Sequence, residues 1–382
     1  MESLKRWLAQ RESGGLLRRL SPLDGRRPGR AVQGGREYVD FSSNDYLGLS
    51  HHPDLIAAAS RALESCGVGT GASRLMSGDL KLHHALEEEV AAFKGRESAL
   101  VFNSGYQANT GVIPALVGRH DVIFADRLCH ASQFDGAALS RARLLRFAHN
   151  DVEHLQTLLE RERTRHDRAL ILTESVFSMD GDLAPLRALV ELKERHRCLL
   201  MVDEAHATGV FGRAGRGLAE AEGVGARVDV LMGTFSKALG GFGAYLAAAR
   251  VMTDYLVNSA RSFIYSTSLP AAVIAADLAA LAVCRREPGR GPALLARAEK
   301  FRAAVVAAGW SAAGSSQIVP VMVGESAAAL RHAQELLRRG FRVLAVRPPS
   351  VPEGTARLRL SICQDHSEED LSSVAEALRG LR

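Results

Sequence analysis

Four short apolar runs in this chain each end abruptly in polar residues. They lie at 99–103 (ALVFN), 169–174 (ALILTE), 199–203 (LLMVD) and 228–234 (VDVLMGT). Continuous apolar runs of this length suit strands covered on both faces, as in a parallel sheet. The last three end roughly 30 residues apart, about one βαβ unit each time, with helix-length segments between them. That pattern predicts an α/β domain built on a mainly parallel sheet. Ligands of such sheets bind beyond the carboxyl ends of the strands. There the chain carries Asn103-Ser104-Gly105-Tyr106-Gln107, Glu174-Ser175-Val176-Phe177-Ser178, Asp203-Glu204-Ala205-His206 and Gly233-Thr234-Phe235-Ser236-Lys237. Hydroxyls, acids, an imidazole and an amine are thus expected at one crevice.

The remaining pattern completes a two-domain plan, which 382 residues at 47% hydrophobic can support. Residues 82–93 read as an amphipathic helix, with Leu82, Ala85, Leu86, Val90 and Phe93 on one face. After a breaker-rich stretch at 287–292, strands are expected at 317–323 and 341–346, flanking a helix at 326–339. A half-buried strand follows at 357–362, and a last helix begins near Ser367. The expected division is an N-terminal arm (1–50) packing with the smaller domain, a large domain (51–286) and a small C-terminal α+β domain (287–382).

Charge and cysteine usage exclude several classes. The net charge is +5, and residues 1–36 hold nine Lys or Arg against three acids. A basic arm of this kind suits a polyanionic ligand. Aromatics are only 5%, with no basic run interleaved with stacking residues, so no nucleic-acid partner is expected. Five scattered cysteines without a CxxC read as small core residues in a reducing compartment. No signal-like apolar stretch opens the sequence, and the longest apolar run, 269–284, contains Asp277. It is too short and weakly apolar to span a bilayer, so a cytoplasmic protein without a membrane partner is expected.

Some motif matches fail on context. Asp203-Glu204-Ala205-His206 spells a helicase motif, but no Gly-Lys dipeptide is present to form its P-loop. Gly67-Val68-Gly69-Thr70-Gly71 follows a helical stretch, not a strand, so it does not read as a dinucleotide loop. No zinc spacing occurs, no metal is expected, and His51-His52 and His83-His84 read as surface pairs. Lys237 is different. It follows an apolar strand, precedes Gly240-Gly241, and shares the crevice with an acid at Asp203 and hydroxyls at Thr234 and Ser236. An electron-sink cofactor needs such a lysine for its Schiff base and such an acid for its ring nitrogen. It also needs a phosphate cup, for which Gly105-Tyr106 opens a helix with free N–H groups. His130 reads either as a core histidine or as a ring stacked on the cofactor.

The sequence resembles the α-oxoamine synthase family of fold-type-I pyridoxal-phosphate enzymes over essentially its whole length. The resemblance rests on FSSNDYLGLSHHP (41–53), GTGASRLMSG (69–78), DRLCHASQFDG (126–136), ESVFSMDGDLAPL (174–186), MVDEAHATGVFG (201–212), GTFSKALGGFG (233–243), YSTSLP (265–270) and RPPSVPEGTARLRLS (347–361). It implies a large mainly parallel-sheet domain and a smaller C-terminal α+β domain. It further implies pyridoxal 5'-phosphate on Lys237, with Asp203 at the pyridinium nitrogen and His130 stacked on the ring. His206 and Ser178 would approach the phenolic oxygen. Gly105, Tyr106, Thr234 and Ser236 would lie around the cofactor, mostly near its phosphate. Asn44 and Arg359 would hold an amino-acid carboxylate, and Arg18 and Ser350 would serve the acyl thioester. Family members form their sites at a homodimer interface, so Thr267 is expected to serve the neighbouring subunit's phosphate.

Within the family, FSSNDYLGLSHHP, FAHND (147–151) and RPPSVPEGTARLRL are similar to the biotin-pathway branch. The implied reaction is a decarboxylative condensation of L-alanine with pimeloyl thioester, carried by coenzyme A or a carrier protein. Ser350 stands where many members carry Thr, and Ser175 where many carry Gly. The rivals are glycine C-acetyltransferase, 5-aminolevulinate synthase and serine palmitoyltransferase, which use the same machinery on other substrates. An aminotransferase of the same fold or a non-catalytic relative is a more distant reading.

Overall fold

A computed structural model describes residues 1–381. The chain forms two compact units. The larger comprises Asp45–Phe177 and Leu183–Ala293. The smaller comprises Met1–Asn44, Ser178–Asp182 and the chain from Leu294 onward.

The larger unit is organised by a seven-stranded sheet. Its strands in chain order are β1 (Ser98–Phe102), β2 (Val122–Asp126), β3 (Arg143–Phe147), β4 (Ala169–Glu174), β5 (Leu199–Asp203), β6 (Val230–Thr234) and β7 (Ala244–Ala248). They lie in the order β1-β7-β6-β5-β4-β2-β3. The run from β6 to β3 is parallel, and β7 is antiparallel to both its neighbours. Every residue of β2, β4, β6 and β7 is buried, as a sheet covered on both faces requires. The registers Glu174↔Asp203 and Asp203↔Met232 align the carboxyl ends of three neighbouring strands. The helix Gly105–Leu116 packs Ala108, Val112 and Ile113 into the core with Ile123, Leu172, Met201 and Met232. Its start is fixed by Ser104, whose hydroxyl accepts from Gln107 N at 3.2 Å.

Strands β2, β3 and β7 were not among the expected four. The β7 segment is AYLAA, poor in the β-branched residues that mark strands, and its position comes from being sandwiched between β1 and β6. The β3 segment, RLLRF, is a partly exposed edge strand and therefore lacks a continuous apolar run. The expected amphipathic helix is present as Lys81–Lys94, but it buries His83 at 1% exposure, so that histidine is not a surface residue. His84 remains exposed, in an ion pair with Asp79. Of the cysteines, Cys66 is exposed and the other four are buried. Among the described residues no helix is long and apolar enough to cross a membrane.

The smaller unit contains a three-stranded antiparallel sheet of β8 (Ile318–Gly324), β9 (Leu344–Val346) and β10 (Ala356–Ser361), in the order β8-β10-β9. The single strand expected at 341–346 is two. Phe341 and Arg342 pair in parallel with Val39 and Asp40, whereas Leu344–Val346 joins β10. Central β10 is buried at all six positions, not on one face. Its alternation of Arg and apolar residues therefore marks two buried faces, one of them charged. The final helix, Glu368–Arg379, starts where Ser367 and Asp370 cap each other reciprocally. The N-terminal helix Glu2–Ser13 buries no residue.

His366 gives this unit a pH dependence. Its Nδ1 accepts from Cys363 N and its Nε2 lies 3.2 Å from Asp40 O. Burial lowers its pKa from 6.5 to about 4. Below pH 6.5 the unfolded chain binds a proton that the folded chain refuses, so stability falls as pH drops from 6.5 towards 4. This histidine should remove about 2 kcal/mol between about pH 7 and pH 5. Urea unfolding at both pH values, with a His366→Asn variant that loses less, checks it.

Candidate functional site

The lysine is presented by the turn after β6. Phe235 N donates to Gly243 O, Gly240 N to Lys237 O and Gly241 N to Phe235 O, each within 3.0 Å, closing the turn on itself. Gly240 has φ +65°, and a Cβ there would lie 2.3 Å from Ser50 N, so only glycine fits. Lys237 is half-buried at the head of this turn.

Asp203 ends β5, 6% exposed. One carboxylate oxygen accepts from Ala205 N at 2.9 Å and the other from Asn109 Nδ2 at 3.1 Å. His206, on the same loop, is also 6% exposed, and its Nδ1 lies 2.7 Å from Tyr46 Oη. His130 caps the helix Ala131–Ser140, its Nδ1 accepting from Ser132 N. Although His130 is exposed, the surrounding protein desolvates its imidazole enough to hold the pKa below 6.5. The charge of Asp203 opposes that shift and that of Lys237 reinforces it. Sequence reasoning gave no role to Asn109, Ser132 or Tyr46, although Ser132 and Tyr46 lie in stretches 126–136 and 41–53 that carry the resemblance.

The phosphate-cup candidates gather at two strand ends. Thr234 is 4% exposed, and its hydroxyl has no hydrogen-bond partner among the described residues. A Cβ on Gly105 would lie 2.9 Å from Thr234 Cγ2, so this glycine opens its helix close against β6. Ser236 and Tyr106 are exposed, and Tyr106 donates to Asp135. Thr267 is exposed, bridged to Ser73, and its carbonyl accepts from Asn103 Nδ2 at 2.6 Å.

In the smaller unit, Arg359 is 4% exposed although it carries a charge. Its Nε donates to Ser178 O at 2.6 Å, and its Nη1 donates to Asn44 Oδ1 at 3.2 Å and Ser361 Oγ at 2.8 Å. Three of the expected site residues, Arg359, Asn44 and Ser178, are therefore in contact. The neighbouring Arg357 is ion-paired with Asp180. Periodicity could not choose between these arginines, and the structure separates them by partner. Arg18 and Ser350 are exposed and joined by a 3.2 Å hydrogen bond.

The chain matches the class I and II aminotransferase family over residues 36–378. It is 53% identical to 8-amino-7-oxononanoate synthase of Geobacter sulfurreducens, covering 97% of this chain and 95% of the relative. It is 50% identical to the Geotalea daltonii protein of the same name, covering 99% and 97%. The chain is an α-oxoamine synthase of this aminotransferase family. Its fold agrees. A Sphingomonas wittichii serine palmitoyltransferase superposes with a TM-score of 0.93 at 33% identity, covering 100% of this chain and 96% of the other. The Francisella tularensis 8-amino-7-oxononanoate synthase gives 0.78 at 28% identity, covering 90% and 97%.

The cofactor of this α-oxoamine synthase is pyridoxal phosphate, and a serine palmitoyltransferase with it bound has a TM-score of 0.92. The residues present fit the group. A buried hydroxyl at Thr234 without a partner among the described residues, a helix start at Gly105 and a fixed carboxylate at Asp203 suit a phosphate and a protonated ring nitrogen.

Proposed function

We propose that the chain condenses L-alanine with a pimeloyl thioester, releasing carbon dioxide and the thiol and giving 8-amino-7-oxononanoate. The observation carrying this reading is near-full-length identity of about half to relatives of that name, with Lys237, Asp203, His130 and His206 all in the larger unit. The resemblance-based roles complete it. Gly105, Tyr106, Ser178, Thr234 and Ser236 contact the cofactor, Asn44 and Arg359 hold the amino-acid carboxylate, and Arg18 and Ser350 meet the thioester. Thr267 serves a second copy of the chain in a homodimer. Five cysteines without a disulfide suit the cytoplasm.

Bound pyridoxal phosphate supplies the electron sink that stabilises negative charge at alanine's α-carbon. The Lys237 amine, in its neutral form, takes the α-proton. Asp203 holds negative charge where the ring nitrogen needs it, and Ala205 N and Asn109 fix the carboxylate's direction. Arg359 is already oriented by hydrogen bonds to Ser178 O, Asn44 and Ser361, so its guanidinium meets the substrate carboxylate with little ordering cost. That grip also selects which bond of the α-carbon breaks.

Two predictions follow from these roles. Asp203→Asn is expected to bind the cofactor yet lose exchange of alanine's α-proton. Removing one member of a buried charge pair costs ~3–5 kcal/mol. Exchange in deuterated water, followed by proton NMR, measures it, and near-normal exchange contradicts the role. Arg359→Ala is expected to weaken the alanine-induced change in the cofactor's spectrum without any thioester. Arg18→Ala should leave that change intact and raise the apparent KM for the acyl donor. Added salt should mimic the Arg18 variant, since screening acts chiefly on exposed charges. A reversed pattern would transfer the two roles.

A further inference from the structure

A directional chain of hydrogen bonds links His130 to Asp203 through two buried side chains. Asn109 and Ser132 are each 1% exposed. Asn109 Nδ2 lies 2.9 Å from Ser132 Oγ and 3.1 Å from Asp203 Oδ2. A carboxylate oxygen can only accept here, so the amide nitrogen faces it and spends its two N–H groups on Asp203 and Ser132. Ser132 Oγ accepts one of them and lies 2.7 Å from His130 Nδ1. That hydroxyl can donate to the nitrogen or, through its second lone pair, accept from it. The backbone N–H of Ser132, which can only donate, reaches the same Nδ1 at 3.2 Å. That ring nitrogen must therefore carry a lone pair, so the hydroxyl donates as well and two donors converge on it.

We propose that Asn109 and Ser132 lock His130 as the neutral tautomer protonated at Nε2, which makes it a hydrogen-bond donor and not a base. Desolvation, opposed by the charge of Asp203, keeps the ring from gaining a second proton. The donor Nε2–H suits an oxygen of the substrate and cannot take the α-proton, which leaves Lys237 as the base. This consequence rests on the role proposed for His130 above, whereas the tautomer itself does not. Asn109 and Ser132 are positioning residues. They reach the chemistry through His130, and Asn109 also aims the carboxylate of Asp203.

Nitrogen-15 NMR of the holoenzyme, with labelled histidine rings, reads the tautomer directly. The signals of His130 are those that vanish in His130→Gln, among 13 histidines. The expected result is a protonated Nε2 and an unprotonated Nδ1 at neutral pH. Ser132→Ala removes one of the two donors and should produce a second population protonated at Nδ1, which Ser132→Thr should abolish. A wild-type ring protonated at Nδ1, or a Ser132→Ala spectrum identical to wild type, would overturn the proposal. If a different amino acid or thioester proves to be the substrate, the function reading fails while this spectrum stands.

Discussion

Lys237→Ala is expected to abolish condensation, with a loss of at least about a thousand-fold, while the fold survives. The lysine has two tasks, holding the cofactor between turnovers and taking the α-proton, and a positioned base alone contributes about 10²–10⁴-fold. The fold should tolerate the change because the turn is held by backbone bonds at Phe235, Gly240 and Gly241, none of which involves the lysine side chain. The variant should retain wild-type circular dichroism yet lack the visible band that borohydride discharges in the wild type. Peptide mapping after reduction should place the label on Lys237. A label on Lys81 or Lys94 would sink the assignment.

The second large effect is expected behind the site. Lys94 and Glu204 form an ion pair with side chains 1% and 0% exposed. Lys94 also donates to Arg216 O, and Glu204 accepts from Ala219 N at 2.8 Å. Gly217, at φ +115°, leaves room that a Cβ would take from the Glu204 carboxylate, 2.3 Å away. Two charges taken out of water this completely are tolerable only as a pair, and the pair raises the pKa of Lys94 despite its burial. Lys94→Met leaves the Glu204 charge without its counter-ion and should cost ~3–5 kcal/mol of stability. Adding Glu204→Gln should recover most of that loss, because two neutral groups need no pairing. Denaturant midpoints of the wild type, both single variants and the double variant measure the coupling. Additive single effects would show that the two charges do not depend on each other. Since Glu204 adjoins Asp203, the cofactor spectrum of Lys94→Met should shift as well.

The parts of this protein legible in sequence are those whose signal is local. Asp203 and Lys237 stand at the ends of apolar strands, and a strand end in a parallel sheet is a site by geometry. The same reasoning reached Thr234, whose hydroxyl has no partner among the described residues. What local pattern cannot supply is pairing across the chain. Asn109 meets Asp203 across 94 positions and Tyr46 meets His206 across 160. Asn109 does not differ in its own neighbourhood from an ordinary helix residue, and the distinctive stretch around Tyr46 does not name its partner. Arg357 and Arg359 share a strand face, and partners far away in the chain distinguish them, Asp180 for Arg357 at 177 positions and Asn44 for Arg359 at 315. Among the strands, β7 was hidden by alanine, which favours helices in isolation and is held extended here by two neighbours. His83 looked like a surface residue beside His84, but the helix Lys81–Lys94 turns it inward, and burial pushes its pKa down to about 4.

The central claim concerns which two substrates the site joins. The most direct measurement offers the holoenzyme alanine, glycine and serine, each crossed with acetyl-, succinyl-, pimeloyl- and palmitoyl-thioesters, and identifies products by mass spectrometry. The expected result is 8-amino-7-oxononanoate from alanine and the pimeloyl thioester, with carbon dioxide released in equal amount and far less product from every other pair. A preference for glycine or serine, or for another acyl chain, would contradict it.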